Sequence, residues 1–222
     1  MSFYLILGAG RFGRLALERL GRRDQEARFL IVDPDPKALA AAVRGLNSEN
    51  IMAVQAEAGK FLADNLGEDS PWDWIIPTAP VHVAYVWLRQ GSLAGEDWQT
   101  LAPPEMMAEV APVVLKGPEE ELYLSYAGHL CPDDCTEPDV CPVSGEPRET
   151  ALSEALAALQ VPEYEILVMV SRPLAPGVGG YQPRELWKLG RKMKSCAGKV
   201  MIATACRCHG VVHGLERREV SR

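Results

Sequence analysis

The chain has 222 residues, 47% of them hydrophobic, which suffices for one large domain or two small ones with ordinary buried cores. Its 30 acidic and 23 basic side chains leave a formal net charge of -7, which argues against nucleic-acid binding by phosphate neutralisation, since that needs clustered Lys and Arg. No stretch of about eighteen uninterrupted apolar residues offers a membrane span, and the first residues lack the basic run and small-residue cleavage site of a secretion signal; a soluble, cytoplasmic chain is expected.

Phe3 to Leu7 (FYLIL) is a short apolar run ending in Gly8, and Leu15 to Leu20 repeat apolar positions at helical spacing, which reads as strand, tight turn and helix. Phe29 to Val32 is a second strand, ended by Asp33, and Pro36 to Val43 is an Ala-rich helix opened by the DPDP segment. Two more strand and helix pairs follow: Ile51 to Ala56 with Gly59 to Asn65, and Trp74 to Pro77 with Val81 to Gln90. Continuous rather than alternating apolar strands suit a parallel sheet covered on both faces.

From Gly91 to Pro112 the periodicity fails, and the expected boundary there divides a domain of 1–112 from one of 113–222. In the second half Glu121 to Tyr126, Glu165 to Val170 and Lys199 to Ala203 read as strands, and Glu149 to Leu159 and Pro183 to Lys194 as helices. The fold class expected is α/β: a Rossmann-type parallel sheet with helices on both faces, followed by a smaller α/β domain that carries the cysteines. The basic run Lys188 to Lys194 sits on a helix and reads as a solvated face.

Gly8-Ala9-Gly10-Arg11-Phe12-Gly13 fits G-x-G-x-x-G between a strand and a helix. The first glycine permits the tight turn, the second lets the backbone approach a pyrophosphate, and the third lets the helix pack on the strand. The helix N-terminus then offers unpaired N–H groups to the phosphates, with Arg11 and Phe12 beside them. Asp33, twenty residues after Gly13, ends the second strand, where its carboxylate accepts from an adenosine ribose and repels a 2′-phosphate. NAD is therefore the expected cofactor. The bland alternative is a tight βα turn with Asp33 as a helix cap. After the fourth strand, His82 in PTAPVH is a candidate proton-transfer group or a satisfied helix-start histidine. The loop Ala175 to Tyr181 is read as an anion-binding turn or a plain glycine-rich connection.

LILGAGRFGRLALERL followed by FLIVDPDPKAL resembles the nucleotide-binding domains of Trk-type and RCK potassium-transport regulators. The resemblance covers about the first forty-five residues. It implies that Gly8, Gly10 and Gly13 hold the pyrophosphate and Asp33 the ribose. The segment TAPVHVAYVWL and the cysteine-bearing half depart from that family.

In the reducing compartment expected here, the six cysteines are read as ligands, redox groups or core filling rather than disulfides. Cys131, Cys135 and Cys141 follow the spacing C-x3-C-x5-C, with prolines after the first and third, and Cys206-Arg207-Cys208-His209 follows the strand that ends near Ala203, with His213 nearby. Three thiolates of the first group with Cys206 or Cys208 supply the four ligands of an iron–sulfur cluster or a closed zinc site. Cys196, at a helix end, reads as core. Three functions are weighed: an NAD-dependent oxidoreductase or electron-transfer component, a non-catalytic NAD-responsive regulator, and a metal-handling accessory protein. The partners expected are the dinucleotide and a second copy or a redox or regulatory protein, with no nucleic acid and no membrane span.

Overall fold

The computed structural model describes residues 1–218. Its first elements are β1 (Phe3–Leu7), α1 (Arg11–Arg23), β2 (Arg28–Asp33), α2 (Pro36–Val43), β3 (Ile51–Gln55), α3 (Ala58–Asn65), β4 (Trp74–Pro77) and α4 (Val83–Trp87). Then come β5 (Trp98–Leu101), β6 (Val113–Lys116), β7 (Leu122–Ser125), α5 (Leu152–Ala158) and β8 (Tyr164–Val170). The last are β9 (Arg172–Ala175), β10 (Val178–Gly180), α6 (Pro183–Ser195), β11 (Lys199–Ala205) and β12 (His209–Arg217).

The four apolar strands of the N-terminal half form one parallel sheet in the order β3-β2-β1-β4, with Leu5 beside both Leu30 and Ile75. Consecutive residues Leu5, Ile6 and Leu7 are all fully buried, so both faces of β1 are covered, as continuous apolar strands require. On one face Tyr4, Ile6, Phe29 and Ile31 pack with Ala16, Leu17 and Leu20 of α1 and with Leu39 and Ala42 of α2. Arg14 ties these helices together by donating Nη1 to Ala41 O at 2.7 Å and Arg44 O at 3.1 Å, at the carbonyl end of α2. Helices α3 and α4 pack against each other, and α4 runs on through a π-turn, Leu88–Ser92. The result is a mixed α/β arrangement with a parallel sheet flanked by helices.

The chain divides into two compact units: residues 1–94 with 172–190, and 95–171 with the chain from 191 onward. The sequence suggests two consecutive blocks meeting at 112, but the path is interleaved. Residues 172–180, where the sequence suggests a strand end and a glycine loop, form the hairpin β9-β10, with Gly177 at φ 63° in its tight turn. That hairpin belongs to the first unit. Tyr181 pairs with Ile75 (Ile75 N to Tyr181 O 2.8 Å), Arg19 donates to Pro176 O and Arg23 to Leu174 O, and Val178 joins the apolar core beneath α1. Residues 219–222, the end of the expected second block, lie outside the described residues.

In the second unit the main sheet path is β6-β7-β12-β11-β8, with β5 added on β12. Among the described residues the β11·β8 pair is parallel, and β11·β12, β12·β7, β12·β5 and β6·β7 are antiparallel. Its core joins Leu122, Leu124, Met201, Ala203 and Val212 to Leu152 and Leu156 of α5. The sequence reading ends on the strand at Ala203 and misses β12, which is central to this sheet. Its polar residues and glycines hide the period: Gly214 lies so close to β5 that a Cβ there would stand 2.3 Å from Leu101 O. Nor is 91–112 wholly irregular, since it holds β5 and a 3-10 turn, Glu105–Val110. Among the described residues no helix is long and apolar enough to cross a membrane.

Candidate functional site

The glycine turn stands at the carboxyl end of β1. Gly8 has φ +114°, a conformation that side chains other than glycine rarely adopt, and a Cβ there would meet Ala79 N at 2.6 Å. A Cβ on Gly13 would lie 2.0 Å from Gly8 O, so α1 packs on the turn at a distance only glycine allows. Gly10 differs: a Cβ there meets nothing within 4 Å, and the residue caps α1 with no side-chain bond to the first turn. Thr78 fastens the turn to the end of β4 by donating Oγ1 to Gly8 O at 2.8 Å.

Asp33, at the adjacent strand end, accepts from Ala9 N on Oδ2 at 2.7 Å and from Asp35 N on Oδ1 at 2.8 Å. Its carboxylate is therefore fixed against the glycine turn, and each oxygen keeps a second lone pair. Asp35, not Asp33, caps α2, accepting from Lys37 N at 2.8 Å. Phe12 is 49% exposed, and the Arg11 guanidinium lies 5.7 Å from its ring centroid. His82 is buried at the foot of α4 with its ring stacked at 6.4 Å on Tyr85. It is a packed side chain.

The second candidate region lies where the long connection between β7 and α5 meets the turn between β11 and β12. That turn is Cys206-Arg207-Cys208, and it does structural work on both sides. Its carbonyls cap α5, accepting from Leu152 N at 2.8 Å and Ser153 N at 3.2 Å. Arg207 reaches the other way: its N–H donates to Glu137 Oε2 at 3.0 Å, and Nη1 donates to Arg148 O at 3.0 Å and pairs with Asp139 at 2.9 Å. Within the connection, Val140 pairs with Pro147, and Arg148 N donates to Asp139 O at 2.6 Å, closing a small loop around Cys141.

His209 touches both cysteine-bearing segments, with Nε2 3.6 Å from Cys131 Sγ and Nδ1 4.0 Å from Cys206 Sγ. His129 Nε2 stands 3.6 Å from Cys141 Sγ. Several sulfurs are also aimed at by backbone N–H groups, from Glu137 to Cys135 at 3.4 Å and from His209 to Cys206 at 3.4 Å. Backbone N–H groups of Ser144 and Val143, with the Ser144 hydroxyl, hold the Cys141 thiol down at about 6. Burial pushes Cys206 up to about 12, with the Glu137 carboxylate adding to it, and burial raises Cys131 and Cys208 as well. Among the described residues no three His, Cys, Asp or Glu side chains are arranged to hold a metal ion as they stand.

Inside this region lies Arg148, 9% exposed. Its Nη1 makes a 3.4 Å contact with Glu146, while Nε and Nη2 are buried with no hydrogen-bond partner among the described residues. The guanidinium lies against Cys141 and Cys208, and the Tyr126 ring centroid is 5.9 Å away. Sequence reasoning misses His129, Glu137 and Arg148. Only the His-x-Cys spacing at 129–131 carried a signal. Cys196 stands apart, buried and donating to Glu165 at 3.0 Å, and Lys192 of the basic run pairs with the same Glu165 at 2.7 Å.

Residues 76–218 match a family model described as "Uncharacterized protein, C-terminal domain". A protein of Archaeoglobus fulgidus, titled "Uncharacterized protein", is 29% identical over 221 residues, spanning 96% of this chain and 99% of its own length.

Proposed function

We propose that this chain, which belongs to the AF_1314_C family, binds NAD(H) on a Rossmann-type first unit and carries a cysteine-ligated metal centre, iron–sulfur or zinc, on the second, working as an oxidoreductase or electron-transfer component. The observation that carries the dinucleotide half is the pairing of Gly10 and Asp33. Gly10 leaves open space in front of the N-terminus of α1, and the Asp33 carboxylate is held beside it by Ala9 N–H. Pyrophosphate is bound by the N–H groups of α1 and the ribose hydroxyls donate to Asp33. NAD(H), when bound, supplies hydride transfer; the chain's residues bind and orient it.

The metal half is supported by the meeting of both cysteine segments at His209, by N–H groups aimed at Cys135, Cys141 and Cys206, and by the buried Arg148. Ligands come from Cys131, Cys135, Cys141, Cys206 and Cys208. Thiolate-only donors suit zinc and iron–sulfur alike, and loading requires the sulfurs to close from their present positions.

The test is anaerobic purification with metal analysis and NADH titration on the same sample. Stoichiometric iron and sulfide, or zinc, together with NADH binding that Asp33→Ala weakens at least tenfold, are the expected results. Protein with neither overturns the proposal. NADH oxidation by added ferricyanide, abolished in Asp33→Ala, is expected of an electron-transfer component. Binding without turnover supports instead the NAD-responsive regulator that the potassium-regulator resemblance implies.

A further inference from the structure

We infer that Thr78, directly after β4, is a positioning residue for the dinucleotide: it grips the peptide unit between Gly8 and Ala9 from the side opposite Asp33, and so keeps the Asp33 carboxylate in place for the ribose. The inference rests on the dinucleotide reading above and goes beyond it by assigning a residue outside the glycine motif. One peptide group is held at both ends. Its carbonyl, Gly8 O, accepts from Thr78 Oγ1 at 2.8 Å, and its N–H, on Ala9, donates to Asp33 Oδ2 at 2.7 Å. The Thr78 hydroxyl has one proton to give. Leu7 O, 3.1 Å from the same oxygen, already accepts from Thr78 N at 2.9 Å, so the proton goes to the shorter bond, with Gly8.

Gly8 cannot set this unit alone. At φ +114° and without a side chain it has freedom that other residues lack, so the orientation of the peptide is decided by the groups at its two ends. Gly8 and Ala9 are both buried, and among the described residues no backbone N–H donates to Gly8 O. Without the hydroxyl this carbonyl is a buried acceptor with no donor, which is costly. Gly13 leaves room for the arrangement: a Cβ there would stand 2.0 Å from Gly8 O and 3.3 Å from Thr78 Oγ1.

The carbonyl and N–H of a trans peptide point to opposite sides. Turned over, this unit would aim its carbonyl at Asp33 and set two negatively polarised groups against each other. The carboxylate would then lose Ala9 and keep only its second anchor, Asp35 N on Oδ1 at 2.8 Å. Thr78 opposes this by holding the carbonyl on the far side. Its own place is fixed by its N–H bond to Leu7 O and by a β-branched side chain with few rotamers. The path from Thr78 to the ribose is short: hydroxyl, peptide, carboxylate. Seventy residues separate Thr78 from Gly8, so the spacing within the glycine motif gives no sign of it.

The test uses the full chain as wild type, Thr78→Val, Thr78→Ala and Thr78→Ser. NADH affinity is measured by fluorescence titration, and amide hydrogen exchange of Ala9, Leu5 and Ile6 is followed without ligand. Thr78→Val keeps the shape of the side chain and removes the hydroxyl. It is expected to weaken NADH binding about tenfold, as when only a tenth of the molecules keep the competent peptide, and to speed exchange at Ala9 while sparing Leu5 and Ile6 in the middle of β1. Thr78→Ala is expected to show the same two changes and stands in for Thr78→Val if that variant does not fold. Thr78→Ser, which keeps the hydroxyl, is expected to match wild type in both. Wild-type affinity in a folded Val or Ala variant overturns the role of Thr78, as does a loss that Thr78→Ser fails to restore. Exchange that speeds equally through Leu5, Ile6 and Ala9 shows a general loosening of β1 and also overturns it. A wild-type chain that binds no NADH overturns the dinucleotide reading itself, and this inference with it.

Discussion

The three glycines of the turn are not equivalent. Gly13→Ala forces a Cβ to 2.0 Å from Gly8 O, so α1 must shift; a loss of about 1–3 kcal/mol is expected. Gly10→Ala places its methyl in open space, at a helix N-cap where replacing Gly by Ala costs about 1 kcal/mol or less. It is expected to unfold in urea close to wild type and, on the dinucleotide reading proposed above, to lose NADH binding, because the methyl would fill the approach to the pyrophosphate. Equal losses of stability in both variants, with binding kept in Gly10→Ala, would show that the glycines serve only the βα turn. At the same scale, burial holds His213 down to about 4 against an ordinary 6.5, with the Glu121 carboxylate opposing the shift. The folded chain favours the neutral ring, so below about 6.5 the unfolded chain binds the proton first. Stability is full above that pH and falls as the pH drops toward about 4. Urea midpoints between pH 7 and 4 test this, and His213→Gln is expected to flatten the slope.

Among the elements, those legible in the sequence share a physical property. Strands β1, β2 and β4 have core positions on both faces, so their apolar runs are unbroken, and β4 spans the expected residues. Helices α1 and α6 carry polar and apolar faces at helical spacing. What stayed hidden was set by partners. β5 and β6 have four residues each and lie among prolines, and β12 has glycines and histidines where an isolated strand would have apolar residues. Gly214 is the clearest case: its lack of a side chain is what lets β5 reach β12. Gly214→Ala is expected to cost about 1–3 kcal/mol and to speed amide hydrogen exchange in Trp98–Leu101 while sparing β8; exchange unchanged in β5 would remove that account. The candidate site divides in the same way. Glycine and cysteine spacing marks Gly8, Asp33 and Cys131 from sequence, but nothing around Arg148 distinguishes it from other arginines, since its burial is a product of tertiary structure.

For the whole molecule, the interleaved path has a direct consequence. A fragment ending at residue 112 lacks the β9-β10 hairpin, so Ile75 loses its backbone partner Tyr181 and the core under α1 loses Val178, Leu174 and Ala175. Such a fragment is expected to unfold without cooperativity, as followed by circular dichroism, and adding residues 172–190 through a flexible linker is expected to restore a transition. A cooperative 1–112 fragment would show the hairpin to be dispensable.

The stitching by Arg207 concerns the order of events. Small zinc domains are often unfolded until metal arrives, because nothing else gathers their ligands. Here one arginine, lying between Cys206 and Cys208, already links the β11-β12 turn to Asp139, Arg148 and Glu137. The segments that carry the proposed ligands are thus already joined, and on the metal-centre reading proposed above, uptake is expected to need closure of the sulfurs rather than folding of the chain. Calorimetry of Zn2+ uptake by the stripped protein is expected to give a heat-capacity change near zero, and Arg207→Ala a markedly negative one, as ordering of the loop is deferred to the moment of binding.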